Sequence, residues 1–230
     1  GAPLRLLMDI YGWRSVIFGV GTMTLLLSLL IWVFMRDDPT QKGYVSYVPA
    51  FTGSNLKSRA SIIKDLLKIF RYRNTWILII VPASLAGPLL TFTGLWGVPY
   101  LTTHYHLSPV KSASLISILL ISCALGGPVL GVLSEKTGRR KPILFLALCI
   151  SLIGWLPILY LKGMPLWVTI VLFSFLGLAS SAVIVGMAFV KESIPITLAG
   201  TVSGVSNMGM EMGPMILQPA IGLLLAWTWD

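Results

Sequence analysis

Negative charge is scarce in this chain. Its 230 residues include eight Asp and Glu against seventeen Lys and Arg, and charged residues of both signs make up 11%. A soluble domain carries about 25%. Histidine and cysteine are scarcer still, with two of each. Cys123 and Cys149 fall in apolar stretches, without metal-ligand spacing or a disulfide framework. No metal site and no cofactor are expected. The chain has no GxxxxGK[ST] loop, which argues against an ATP-driven pump. It has no HExxH, no pair of acids within one apolar stretch and no histidine inside one, so an enzyme is not expected either.

What is abundant is apolar: 56% of residues are hydrophobic and the mean hydropathy is +0.86. A membrane-crossing helix needs about 20 mostly apolar residues. Six stretches qualify, at 15–35, 76–98, 112–133, 143–161, 166–190 and 199–226. The expected class is therefore an all-α integral membrane protein with six full spans and a partial one, GAPLRLLMDIYGWR, before them. The formal net charge of +9 does not point to nucleic acid, because the cations sit in particular loops. Eight lie between Arg36 and Asn74, four in SEKTGRRKP (134–142) and Lys191 in VKESIP, against Arg14, Lys111 and Lys162 in the alternate loops. Cytoplasmic loops carry the excess of Lys and Arg, so these two sets assign opposite sides without conflict. Within the long cytoplasmic segment, LKSRASIIKDLLKIFRYR has Leu56, Ile63, Leu66, Leu67 and Phe70 at helical spacing with basic residues between. Such a helix belongs in the headgroup region.

One charge breaks the pattern. Glu211 stands alone in the last span, about 12 residues from its start at Ala199, or roughly 18 Å into a core of about 30 Å. An acid there is a functional candidate. Gly200, Gly204, Asn207, Glu211, Pro214, Gln218 and Gly222 recur at three- and four-residue steps, so they share one face. Gly209 and Gly213 lie on the opposite face, suited to close helix packing. Asn207, Glu211 and Gln218 are the first candidates for proton or solute contact. Thr91, Thr93 and Trp96, in PASLAGPLLTFTGLWG, are the second group, the two threonines being expected mainly to bond their own backbone.

The most specific motif is GVLSEKTGRRKP, from Gly131 to Pro142. Gly131 allows a close helix contact, Gly138 supplies a positive-φ turn and Arg139, Arg140 and Lys141 hold the turn at the cytoplasmic surface. This loop resembles the motif of the major facilitator superfamily of secondary transporters: a glycine, an aspartate, then G-R-R/K. Glu135 departs from it in holding Glu for Asp. YGWR (11–14), GLWGVPYL (94–101) and the long segment 36–74 also resemble that family. The resemblance implies two six-helix bundles made of inverted repeats, rocking about a midplane site. It implies that 1–35 closes an N-terminal half, that 36–75 is a cytoplasmic linker and that 76–230 is most of a C-terminal half. Gly131, Glu135, Gly138, Arg139 and Arg140 then belong to gating. The implied activity is transport of a small solute, coupled to protons as a symporter, in a multi-pass protein of the bacterial inner membrane. Its partners would be the solute, protons, the bilayer and the remaining helices of the same chain, which the resemblance puts before the fifth helix and after the eleventh. A solute sensor on the same fold is the competing expectation.

Overall fold

The computed structural model describes residues 2–36, 43, 59–161, 163–195 and 198–228. They form two compact units, Pro3–Ala60 and the unit built on Ser61–Asp230. Among the described residues six helical stretches are long and apolar enough to cross a membrane.

The first unit holds α1 (Ala2–Tyr11) and α2 (Trp13–Phe34). Gly12 separates them at φ 76, a conformation open to glycine at little cost. Along α2, Thr22, Thr24 and Ser28 each donate to the carbonyl four residues back, at 2.9 Å, so their hydroxyls are satisfied without a neighbouring helix.

The second unit begins with α3 (Arg59–Phe70) and α4 (Arg73–Thr91), continues through a π turn at Phe92–Trp96 into α5 (Gly97–Tyr105), and adds α6 (Pro109–Thr137) and α7 (Arg140–Tyr160). Then come α8 (Leu166–Ser180), α9 (Val183–Ser193) and α10 (Ala199–Thr228). The span expected at 76–98 is thus a longer stretch, Asn74–Tyr105, running through the π turn. That expected at 166–190 is Leu166–Ser193, broken in the middle at Ser181 and Ala182.

Glycines set the two tightest helix pairs. A Cβ on Gly213 would lie 2.6 Å from the Gly87 Cα and from the Ala83 carbonyl, and one on Gly209 would lie 2.7 Å from Ile79 backbone atoms. Hydrogen in place of Cβ is what lets α4 and α10 touch along their backbones, as the small-residue face of α10 implied. The pair α6 and α8 uses Gly126, where a Cβ would fall 3.0 Å from the Leu178 Cα, and Gly177, where it would meet the Leu119 carbonyl.

Apolar side chains fill three layers between these pairs. Toward one end Phe92, Leu101, Leu119, Ile158, Phe173 and Leu176 are packed together, with Phe92 edge-on to Tyr100, Trp155 and Phe173 at 5.2–5.7 Å between ring centres. Leu85, Leu130, Leu144, Ala147 and Val185 make a middle layer. Ile69, Val190, Ile194, Leu198 and Val202 close the other end.

Candidate functional site

The widened turn of the Asn74–Tyr105 stretch brings two of the candidate residues together. Gly97 donates its N–H to the Phe92 carbonyl, five residues back. A π turn inserts one residue into the helical period and often marks a functional position. Here it swings Trp96 onto α10: the indole Nε1 donates to the Gln218 carbonyl at 3.2 Å. A Cβ on Gly222 would rest 3.4 Å from the same ring, and one on Gly94 would lie 3.5 Å from the Gln218 amide nitrogen. Trp96, Gln218 and Gly222 therefore form one contact between the π turn and α10.

The other polar residues of α10 point elsewhere. Asn207 and Glu211 are exposed on the unit, one turn apart. Glu211 thus stands on an open face in the middle of a 30-residue helix. The two threonines part company. Thr93 donates to the Leu89 carbonyl at 2.8 Å, the local bond expected of it. Thr91 is 2% exposed, and among the described residues its hydroxyl has no hydrogen-bond partner, which differs from the expectation.

Thr91 faces a cavity of about 640 Å³ formed by α4, the π turn, α7 and α10. Its walls include Pro88, Phe92, Trp96, Ser151, Leu152, Trp155, Leu217 and Ile221. The Trp155 Nε1 is buried and also without a partner among the described residues. The cavity is apolar and has no charged group in its lining, and the Thr91 and Trp155 donors are buried within its wall. Of the six residues singled out for solute or proton contact, Thr91 and Trp96 border it, while Thr93, Asn207, Glu211 and Gln218 do not.

At the opposite end the turn between α6 and α7 carries the charge motif. Gly138 takes φ 62 and ends α6, as its place in the loop implied. Gly131 differs from its expected role: a Cβ there would meet nothing within 4 Å in this unit. Glu135 and Arg139 are exposed. The ion pair falls to Arg140. Its Nη2 and Nε reach the two carboxylate oxygens of Glu192 at 2.8 Å and 3.3 Å, and its Nη1 donates to the buried Ser134 hydroxyl at 2.7 Å. Ser134 and Glu192 escaped the sequence reading. The only signal for Glu192 was an acid beside Lys191 in VKESIP, a loop weighed for its cation alone.

Residues 90–230 match the Major Facilitator Superfamily. The chain belongs to that family. It is a multi-pass membrane protein, in keeping with its six apolar helices. It is also similar to the tetracenomycin C resistance and export protein of Streptomyces glaucescens, 28% identical over 189 residues. The match covers 78% of this chain and 34% of that relative, so the superfamily chain spans about a third of the curated relative's length.

Proposed function

We propose that this chain is part of a secondary active transporter that exports a small solute by alternating access, with Glu211 carrying the proton that drives it. The observation that carries the reading is the exposed Glu211 at mid-span of α10. A carboxylate costs about 2.5–3.5 kcal/mol at the centre of a membrane helix. An exposed face holding Asn207 and Glu211 is therefore better suited to water and protein than to lipid. The relative named for resistance and export supports outward solute movement, and an inward proton gradient then implies antiport in place of the expected symport. The sensor reading draws no support from either comparison. The family points to transport and not to an enzymatic role.

The domain layout follows the same reading. We assign α2 to the end of one six-helix half, 36–75 to the cytoplasmic linker, and α4–α10 to most of the other half. In that half α4 pairs with α10 as α6 pairs with α8, each through glycines, and α7 leans on α8. The equivalent seat beside α4 is the cavity with the unsatisfied Thr91 and Trp155. We assign it to a further helix of the same protein, packed against its apolar walls. Thr91 then belongs to helix packing, and Asn207, Glu211 and the Trp96–Gln218 contact belong to the pathway.

Glu211→Gln tests the coupling in the full-length protein. Solute exchange between equal pools should persist, while accumulation driven by a pH gradient is lost. Normal gradient-driven accumulation by that variant would remove Glu211 from the coupling role.

A further inference from the structure

The helix α3 has three distinct stripes, set by its roughly 100° per residue. Ile69 points inward: it is fully buried against Val190 and Ile194 at the end of α9 and Leu198 and Val202 at the start of α10. The Ile69 carbonyl also accepts from the buried Thr75 hydroxyl at 2.6 Å, which ties the end of α3 to the first turn of α4. Roughly 120° round the helix, Ile63, Leu67 and Phe70 form an exposed apolar stripe. Between Phe70 and Trp76 of α4 the rings meet at 5.6 Å, so the stripe runs without interruption onto the exposed Trp76 and Ile80 at the start of a membrane span. Beside it, about 100° further, Lys64, Lys68 and Arg71 make an exposed basic stripe.

Leu67 is 64% exposed and Ile63 is 58% exposed, too much apolar surface to leave in water beside a span. The register fixes where the surface lies. Only Arg71 and Tyr72 separate α3 from α4, so α3 sits at the height where α4 leaves the membrane. There the apolar stripe reaches acyl chains and the adjacent cations reach headgroup phosphates, their stems lying along the boundary.

We propose that α3 is a binding surface for anionic phospholipid of the cytoplasmic leaflet, held in register with the α9–α10 turn by Ile69. The charge complementarity is specific: three cations on one stripe at i, i+4 and i+7, flush with the lipid-facing stripe. Each cation near a membrane surface is worth about a fivefold change in local anionic-lipid occupancy. The proposal rests on the spans and on α3, and stands or falls independently of transport.

The test uses the full-length protein in vesicles of zwitterionic lipid containing a minor share of phosphatidylglycerol. Leu67→Cys, in a background with Cys123→Ser and Cys149→Ser, carries a fluorophore. Brominated acyl chains are supplied on the anionic or on the zwitterionic lipid at equal mole fraction. The expected result is stronger quenching by the anionic lipid, a preference that fades with added salt and disappears in Lys64→Gln/Lys68→Gln/Arg71→Gln. Lys111→Gln, with its cation in the first turn of α6 at the opposite face, should leave it intact. Equal quenching by the two lipids, or a preference that survives the triple substitution, would overturn the proposal. So would the absence of quenching by either lipid, which would mean that protein covers this face.

Discussion

Arg140 grips Glu192 with two guanidinium nitrogens while its third reaches the buried Ser134 hydroxyl. The bond joins the start of α7 to the end of α9, 52 residues away. A fork meeting a carboxylate in this way is geometrically demanding, and lysine cannot reproduce it. Since α9 is separated from α8 by the break at Ser181 and Ala182, this contact fixes the free end of a short helix whose other end is jointed.

A charge exchange separates pairing from mere surface charge. Arg140→Glu and Glu192→Arg, each alone, should slow transport by the full-length protein on the order of tenfold, because each leaves two like charges facing. The double exchange should recover a large part of the loss, as expected for residues coupled through one contact. Equal losses in the single and double variants would show that contact between these two charges is not what the transport cycle uses. Arg139→Gln, at an exposed neighbour, should have the smaller effect.

Close packing of α4 on α10 makes a sharper demand on stability. Gly213→Ala would drive a methyl into the Gly87 Cα and the Ala83 carbonyl, both backbone atoms that cannot swing aside. Overpacking of this kind costs about 1–3 kcal/mol, and thermal unfolding in detergent should fall accordingly. Gly204→Ala on the same helix meets nothing within 4 Å and should leave the midpoint unchanged or raise it slightly, since alanine is the better helix former. Equal effects at the two positions would mean that α4 and α10 do not approach as described.

Much of this architecture is legible in the residues, for a physical reason. A span must be apolar along its whole length, so each one announces itself without reference to its neighbours. The Gly138 turn and the Gly209–Gly213 face are local in the same sense. What stays hidden is what depends on distant partners. Glu192 is an ordinary loop acid until α9 brings it to Arg140. Thr91 and Thr93 read alike in the sequence, and only the folded helix puts one in the wall of a cavity and the other on its own backbone. Ile69 resembles its neighbours Leu66 and Leu67 in type, and only the α9–α10 turn selects it for burial.

The cavity beside α4 gives a test of the domain layout. Leu152 and Ile153 are consecutive on α7 and similarly exposed, 65% and 67%, but only Leu152 lines the cavity. If a further helix of the full-length protein seats there, Leu152→Cys should react with a lipid-soluble maleimide several-fold more slowly than Ile153→Cys. Equal rates would leave the cavity open to lipid and remove the helix from that seat.

Thr75 offers the last and most local test. It is fully buried where α3 meets α4, and its hydroxyl donates to the Ile69 carbonyl. That carbonyl lies in the last turn of α3 and also accepts from the Tyr72 N–H at 3.0 Å. Thr75→Val keeps the shape and removes one of the two donors to that carbonyl, at a cost of about 1 kcal/mol. The cost falls on one joint and not on the whole bundle, because α3 is held mainly by Ile69 and this bond. The global unfolding midpoint should therefore move little, while α3 detaches more often from the α9–α10 turn. Limited trypsin digestion reads this directly, since Lys64 and Lys68 on the helix and Arg71 just past its end are exposed cleavage residues and cleavage requires local opening. Thr75→Val should be cut at these residues several-fold faster than the parent, and Thr75→Ser, which keeps the hydroxyl, should stay close to the parent rate. A valine variant cut no faster would show that the Ile69 side chain alone holds α3 in place.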